Sequence, residues 1–288
     1  MATTRHRPLL SNEAKPATYE VEAWNERGEM VPTSIAGEHP LTLYLDKREI
    51  VTLMTLGHAP EALALGYLRN QRLVDAVEHI AAVQVDWETD SVAVTTRKGA
   101  KGIKALRERM KRRTVTTGCG QGTVFGNLMD EIDDIHLRAE ARLADAQLFD
   151  LVDQVRRHET IYKQSGAVHG CALAGLSGAA SAEILLFVED VGRHNAVDAI
   201  AGFMWLDAID GSDKVFYTTG RLTSEMVIKC AQMGIPFLVS RSGLTRMGFE
   251  IAKKVGLTML GRASGKHYLA FTGRERLVRT LQQPTALA

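Results

Sequence analysis

The sequence predicts an α/β protein with a smaller N-terminal α+β region and a three-layer α/β/α domain in the second half of the chain. From about residue 145, short continuous apolar runs alternate with amphipathic stretches, a pattern typical of strands buried on both faces between helices. The first half has apolar runs separated by short polar turns, which favours paired strands. The predicted division is a flexible tail over residues 1–18, the α+β region over 19–140 and the α/β/α domain over 141–288.

The N-terminal region begins with a predicted β-hairpin and a helix. Leu41–Leu45 and Ile50–Met54 are β-prone runs, and the charged residues at 46–48 favour a turn between them. A helix is expected over Glu61–Asn70, because Pro60 is accepted in the first helical turn. The later segment 101–113 is strongly basic, as expected of a solvated helix face or of a source of positive charge for its neighbours.

The second half alternates between helices and strands. Asp145 is a candidate N-cap, and the apolar residues that follow it fall at the spacing of one buried helix stripe, at positions 148, 151, 152 and 155. Further strands are predicted at 168–176, 184–188, 215–218, 236–240 and 257–260, and further helices at 195–207, 224–233 and 245–255.

Composition excludes several classes of function. The 288 residues carry a formal charge of only +1, so nothing attracts the whole chain to nucleic acid or to an anionic membrane. Three cysteines are too few, and odd in number, for a disulfide framework, which favours a reducing cytoplasm. Because no signal-peptide core and no apolar run of membrane-spanning length occurs, we expect a cytoplasmic protein without nucleic-acid or membrane partners.

Cys119 is the candidate catalytic residue. It lies between Gly118 and Gly120, shortly after the basic run Lys111–Arg113. Nearby cations favour the thiolate and glycines leave the sulfur uncrowded, so this pattern indicates a nucleophile that other molecules can reach. The alternative is a small buried cysteine in a glycine-rich turn. Cys171 and Cys230 lie in an apolar strand and an apolar helix, and we expect both in the core.

Polar residues follow three of the predicted strands, where open α/β sheets bind ligands. Each group contains an arginine beside glycine or serine, and arginine offers paired donors to phosphate, so a nucleotide or pyrophosphate site is expected. An aspartate, Asp190 or Asp198, is a candidate for binding a guanine edge, with helix capping as the alternative. The candidate residues are Asp190, Gly192, Arg193, His194 and Asn195 after the first strand, Gly220, Arg221 and Ser224 after the second, and Ser240, Arg241 and Ser242 after the third.

His169 stands in a segment that is similar to half of the zinc deaminase signature. In that signature a His-x-Glu pair supplies a metal ligand and a general acid/base. Here Cys171 takes the place of the glutamate and no Pro-Cys-x-x-Cys follows, so no zinc or other metal is expected. His169 is then either a structural histidine or one that orients a ligand or a proton for sulfur chemistry.

Several segments together resemble the FdhD family, the formate dehydrogenase accessory sulfurtransferases. The most specific is Glu189–Asp198, with the sequence Glu-Asp-Val-Gly-Arg-His-Asn-Ala-Val-Asp. The resemblance runs from about residue 20 to the C-terminus. The other matching segments are Ala59–Tyr67, Thr117–Gly120, Gly166–His169, Gly220–Val227 and Leu257–Arg262.

The resemblance implies a cytoplasmic homodimer with a cytidine-deaminase-like domain that has no deaminase zinc. Such proteins take sulfur from a cysteine desulfurase as a persulfide, here on Cys119, and pass it to the molybdenum bis(molybdopterin guanine dinucleotide) cofactor for formate dehydrogenase. GDP would then mimic part of this bound substrate. By the family pattern one further loop contacts the cofactor, namely Arg262, Ala263, Ser264, Gly265, Lys266 and His267.

One position departs from the family pattern. Many members carry Cys-x-x-Cys in the reactive loop, whereas this chain has Gly122 at the second position. A persulfide can still form on Cys119, but no second loop cysteine can resolve it. Two other functions therefore stay open: a cofactor-binding chaperone without sulfur transfer, and a thiol redox protein that works without a nucleotide.

Overall fold

The computed structural model describes residues 7–97, 115–118, 121–124, 132, 135–158, 160–176 and 181–279, and for 115–118 and 121–124 it describes the backbone. The chain divides into two compact units that are interleaved in sequence. The first comprises residues 1–131, 159–170 and 188–209, and the second comprises residues 132–158, 171–187 and 210–288. The prediction of one boundary near residue 140 differs from this division, because the chain returns twice to the first unit.

Six α-helices are assigned within the described residues: α1 (Pro60–Asn70), α2 (Asp145–His158), α3 (Ile161–Ser165), α4 (Arg193–Leu206), α5 (Ser224–Gln232) and α6 (Arg246–Lys254). The strands up to residue 124 are β1 (Leu9–Leu10), β2 (Thr18–Trp24), β3 (Met30–Ala36), β4 (His39–Leu45), β5 (Arg48–Thr55), β6 (Ile80–Asp86), β7 (Ser91–Thr96), β8 (Val115–Gly118) and β9 (Gln121–Val124). The later strands are β10 (Leu143–Ala144), β11 (His169–Gly175), β12 (Glu183–Asp190), β13 (Lys214–Thr218), β14 (Phe237–Ser240), β15 (Thr258–Ser264), β16 (His267–Ala270) and β17 (Leu277–Val278). Short 3₁₀ helices cover Val77–His79 and Arg274–Arg276.

The first unit contains a five-stranded sheet in the order β1-β6-β7-β4-β5. Its predicted hairpin is confirmed, since β4 and β5 pair antiparallel with Leu45 opposite Arg48. Asp46 and Lys47 between them have φ of +46° and +68°, as a tight two-residue hairpin turn requires. The Asp46 carboxylate accepts from the Thr96 amide at 2.8 Å and so ties the turn to β7.

The N-terminal segment takes part in this sheet. Leu9 and Leu10 of β1 pair parallel with Ala82 and Val83 of β6. This differs from the flexible tail that was expected over residues 1–18. The sequence gave little warning, because a two-residue strand has no measurable periodicity.

Helices α1 and α4 pack closely within the first unit. The predicted α1 is confirmed, with Pro60 in its first turn. The helices approach through Gly66 and Gly202, where an added Cβ would overlap the carbonyl oxygens of Asp198 and Ala62. A hydrogen bond of 2.7 Å from Asn70 Nδ2 to Asp198 Oδ1 joins the same pair of helices. Backbone-to-backbone proximity of this kind needs glycine on both sides.

The second unit is built on a six-stranded mixed sheet in the order β12-β11-β13-β14-β15-β16. Strands β13, β14 and β15 are mutually parallel, whereas β11 and β16 run antiparallel to their neighbours. Residues on both faces of the central strands are buried, as their continuous apolar runs predict. The chain is therefore a mixed α/β protein, and the cytidine-deaminase-like three-layer arrangement stays a prediction.

Helix α2 supplies part of the core of the second unit. The predicted stripe is confirmed, since Leu148, Leu151, Val152 and Val155 are all buried in one cluster with inward-facing residues of β13 and β14. Among the described helices, none is long and apolar enough to cross a membrane.

Substitution of the helix-contact glycines should destabilise the protein. Glycine to alanine inside a helix ordinarily gains about 1 kcal/mol of helix propensity. Here Gly66→Ala and Gly202→Ala should instead each cost about 2 kcal/mol or more, because the new methyl group overlaps a backbone oxygen of the facing helix. Urea unfolding would measure this, with Gly243→Ala as the control, since no atom lies within 4 Å of a Cβ there. Unchanged stability in both helix variants would contradict the close approach.

Candidate functional site

The carboxyl ends of β13, β14 and β15 meet at one edge of the sheet in the second unit, and hydrogen bonds connect the segments that follow them. Ser240 Oγ donates to the carbonyl oxygen of Gly220 at 2.6 Å and accepts from the Ser242 amide at 2.9 Å. The Arg262 amide donates to the Ser242 carbonyl oxygen at 3.0 Å. The structure thus brings together four predicted site residues from three separate strands, as expected for ligand binding by an open α/β sheet.

Two helices begin at this edge. The Leu222 amide donates to the Gly243 carbonyl oxygen at 3.0 Å, and the Thr245 amide donates to the Leu222 carbonyl oxygen at 3.1 Å, so the loops before α5 and α6 run side by side. Thr245 caps α6 by accepting from the Gly248 amide, whereas the side chain of Thr223 makes no such bond to α5. The first turn of α5, which starts at Ser224, therefore keeps amide donors that suit an anion.

The three predicted arginines differ in their surroundings. Arg221 and Arg262 are exposed and Arg241 is half-buried. Arg262 has a φ of +53° at an irregularity in the pairing of β15 with β16, and such left-handed backbone in a non-glycine residue concentrates at functional sites. Gly261 before it lies under Phe271 and the Ser242 carbonyl, with no room for a side chain. The position of Arg262 is therefore fixed by its backbone.

The predicted cofactor loop over residues 262–267 is a β-hairpin. Ser264 pairs with His267 across Gly265, whose φ is +55°. Ala263 is 1 % exposed and belongs to the core cluster, whereas its neighbours Arg262 and Ser264 are exposed. Strand alternation explains the difference, since successive side chains point to opposite faces. The hairpin therefore offers Arg262, Ser264, Lys266 and His267 to solvent, and Ala263 contributes packing.

The acidic candidate of the first unit, Asp190, is buried and saturated with hydrogen bonds. Its Oδ2 accepts from Thr55 Oγ1 at 2.6 Å and from the Leu56 amide at 3.1 Å. Its Oδ1 accepts from the Gly192 amide at 3.0 Å and from Asn195 Nδ2 at 2.7 Å. Burial raises the pKa of this carboxyl above its usual range, although all four hydrogen bonds act to lower it.

This geometry does not support the interpretation of an aspartate that binds a guanine edge. Asp190 already accepts four hydrogen bonds, and Asp198 is 0 % exposed and accepts from Asn70. A ligand would have to displace these internal donors. The capping alternative is also not what occurs at Asp190, which instead joins the end of β5 to the loop before α4.

The basic residues at the start of α4 are likewise inside the first unit. Arg193 and His194 are 7 % and 2 % exposed. The preceding Glu189 carboxylate accepts from the amides of Ile161 and Tyr162 at 2.9 Å each, and so stabilises the first turn of α3. His169, at the start of β11, is half-buried. The loop that the sequence marked most specifically is thus a tightly bonded structural element of the first unit.

The sequence prediction missed His58, which lies just before α1. Within the described part of the chain, the buried Nδ1 of His58 has no hydrogen-bond partner. Burial lowers the pKa of this imidazole, while the nearby charges of Asp190 and Glu189 oppose the shift. No spacing pattern marks a lone histidine in a loop, so only the fold shows that it belongs to the Asp190 cluster.

Cys119 and Gly120 lie outside the described residues. The strands on either side of them in sequence, β8 and β9, pair antiparallel with Gly118 opposite Gln121. The two other cysteines are fully buried, which confirms their expected place in the core. Cys171 Sγ donates to Thr218 Oγ1 at 3.3 Å, and burial raises the pKa of Cys230 far above its ordinary value. Neither buried thiol is poised for surface chemistry.

The model of the FdhD/NarQ family matches residues 36–278 of this chain. The chain belongs to this family. A sulfur carrier protein FdhD from Wolinella succinogenes is 28% identical over 240 residues, covering 83% of this chain and 81% of that one. One from Sulfurisphaera tokodaii is 29% identical over 258 residues, covering 88% and 95%.

A solved structure is also similar. The crystal structure assigned to a formate dehydrogenase accessory protein from Desulfotalea psychrophila superposes with a TM-score of 0.70 at 26% identity, covering 91% of this chain and 98% of that one. The family match includes all the candidate site residues in both units and begins at the end of β3. Strands β1 and β2 therefore precede the part that the family model describes.

The His58 environment predicts a specific pH dependence of stability. A pKa below the unfolded value of about 6.5 means that the stability due to neutral His58 is fully present above pH 6.5 and is lost as the pH falls through and below that value. His58→Gln should therefore lose less stability than the parent between pH 7.5 and 5, by at most about 1.4 kcal/mol per pH unit. Urea unfolding across this range measures it. Parallel curves for parent and variant would contradict a depressed His58 pKa.

Proposed function

We propose that this protein is a sulfur carrier that receives sulfur from a cysteine desulfurase as a persulfide on Cys119. It passes that sulfur to the molybdenum bis(molybdopterin guanine dinucleotide) cofactor, which is then used by formate dehydrogenase. Membership of the FdhD/NarQ family and the names of the relatives support the sulfur-carrier role. The name of the structural relative supports the link to formate dehydrogenase.

The observation that carries the cofactor part is the connected edge of the second unit. Gly220, Ser240, Ser242 and Arg262 are fixed to one another by hydrogen bonds of 2.6 to 3.0 Å. Beside them, the start of α5 and the exposed Arg221 offer donors and positive charge. Backbone amides, hydroxyls and guanidinium groups are the donors that bind phosphate groups of nucleotides. A guanine dinucleotide cofactor presents several such groups.

The sulfur chemistry balances without an external oxidant in the loading step. The Cys119 thiolate attacks the terminal sulfur of the desulfurase persulfide, the sulfur–sulfur bond of the donor breaks, and the donor cysteine leaves as a thiolate. Release of the carried sulfur as sulfide needs two electrons. Because Gly122 replaces a second loop cysteine and both other cysteines are buried, a thiol outside this chain supplies them and forms a mixed disulfide with Cys119.

The proposal includes three protein partners. They are a cysteine desulfurase that loads Cys119, a formate dehydrogenase that accepts the sulfurated cofactor, and a second copy of this chain in a homodimer. A cytoplasmic location fits the need for a reduced thiol. The single loop cysteine also suits a cofactor-delivering chaperone that transfers no sulfur, and loading of Cys119 separates the two functions.

Sulfur loading should depend on Cys119 alone among the three cysteines. Incubation with a cysteine desulfurase and cysteine should add one sulfur to the parent and none to Cys119→Ser, because only that thiol is predicted to be reactive. Intact mass spectrometry measures the gain. Cys171→Ala, the control, should still load, with a stability loss of about 1 kcal/mol or somewhat more from the buried truncation. A parent that gains no sulfur, or a Cys119→Ser variant that does, would overturn the sulfur-carrier assignment.

Guanine nucleotides should bind and stabilise the folded state. GDP is expected to raise the melting temperature more than ADP, because a ligand that binds only the native state shifts unfolding by mass action. Arg241→Ala should weaken GDP binding through loss of a phosphate donor, whereas Arg156→Ala, on exposed α2, should not. Calorimetric titration gives the affinities. Equal shifts with GDP and ADP would refute guanine selectivity, and unchanged binding in Arg241→Ala would count against this phosphate site.

A further inference from the structure

Residues 9–15 form a segment that is bound along the first unit and lies before the family match, which begins at residue 36. After the pairing of β1 with β6, the Ser11 amide donates to the Val83 carbonyl oxygen at 3.2 Å. Ser11 Oγ accepts from the Val85 amide at 2.9 Å. The segment thus continues along β6 beyond the two paired residues of β1.

Helix α1 and the loop before it hold the next part of the segment. One carboxylate oxygen of Glu61, a residue 7 % exposed, accepts from Ser11 Oγ at 2.7 Å and from the Glu13 amide at 3.0 Å. The Lys15 amide donates to the Gly57 carbonyl oxygen at 2.9 Å. The Lys15 ammonium lies over the Trp87 ring, 5.1 Å from its centre. A hydrogen bond to a buried carboxylate is among the stronger kinds, so this attachment is specific.

The attachment point at Gly57 adjoins the Asp190 cluster. Gly57 has a φ of +72°, and a Cβ there would lie 2.9 Å from the Trp87 ring and 3.3 Å from the Lys15 Cβ. Its amide donates to Thr55 Oγ1, and Thr55 Oγ1 with the Leu56 amide binds Asp190 Oδ2. Through the other oxygen, Asp190 holds the Gly192 amide and Asn195 at the start of α4.

We propose that residues 9–15 act as a strap that positions the Asp190 loop through Gly57, and thereby sets the affinity of the protein for guanine nucleotides. Ser11, Glu61 and Lys15 are positioning residues in this scheme, because none of them reaches the ligand. The positioning of Leu56 and Gly192 depends only on the contacts of the first unit. The effect on nucleotide affinity rests on the proposed function, through Arg193, the predicted phosphate ligand that begins α4.

The test uses two neighbouring proline substitutions in the full chain. Lys15→Pro removes the amide that donates to Gly57, whereas Ala14→Pro, the control, keeps that amide while adding the same ring to the same segment. Hydrogen exchange at the Leu56 and Gly192 amides, which both donate to Asp190, should become about 3- to 10-fold faster in Lys15→Pro only, the expected effect of one lost hydrogen bond. GDP affinity should fall by a similar factor.

A second variant protects the test against misfolding of Lys15→Pro. Ser11→Ala removes the hydroxyl contacts to Glu61 and Val85 while leaving the backbone unchanged, and should accelerate the same two amides by a smaller factor. The strap proposal is overturned if exchange at Leu56 and Gly192 matches the Ala14→Pro control. It is overturned equally if exchange accelerates uniformly across the first unit, since that would indicate general stabilisation.

The two proposals fail in different ways. If the parent protein does not bind GDP, the proposed cofactor site is wrong, while the exchange rates still decide whether the strap positions the Asp190 loop. If GDP binds equally well to the parent and to Lys15→Pro while the Leu56 and Gly192 amides exchange faster, the loop is positioned by the strap but the link to affinity is wrong.

Discussion

The buried carboxylate of Asp190 is the interaction on which the first unit depends most. Placing an aspartate inside a protein costs free energy, as the raised pKa of its carboxyl records, and the cost is tolerable only because four donors surround it. Those donors come from the end of β5 and from the start of α4, segments more than 130 residues apart in the chain. A single carboxylate therefore makes the chain return from residue 188 to the first unit, and the interleaved organisation follows from it.

The second unit solves a different problem with weaker parts. Its parallel strands end together, and neutral hydroxyls and backbone groups connect the loops that follow. No buried charge is needed at Ser240, which satisfies one carbonyl and one amide at once. This leaves the arginines of these loops outside the internal network, with Arg221 and Arg262 exposed and Arg241 half-buried. The chain thus uses its buried acid for folding and its exposed bases for ligand binding, which is the division that binding to a polyanionic cofactor requires.

The family pattern and the structure assign different meanings to the same motif. The Asp-Val-Gly-Arg-His-Asn block is the most specific signal in the sequence, and a ligand-binding role was predicted for it. In the structure its aspartate and asparagine bond to the protein itself, and its arginine and histidine are buried. A motif can be specific to a family because the fold requires it, so sequence specificity alone does not separate a structural network from a binding site. The absence of a second loop cysteine, in contrast, is visible only in sequence and bears directly on chemistry.

The sequence by itself determined the local elements and the class of the protein. The β4–β5 hairpin, α1 after Pro60, the stripe of α2 and the core positions of Cys171 and Cys230 were all predictable, because each depends on neighbouring residues and on periodic burial. Only the tertiary structure decided the two interleaved units, the attachment of residues 9–15, the saturation of Asp190 and the inclusion of His58 in its cluster. Each of these depends on contacts between residues distant in the chain, such as Thr55 with Asp190 or Lys15 with Gly57. Such contacts leave no periodic trace in a single sequence, since either partner alone is an ordinary polar residue.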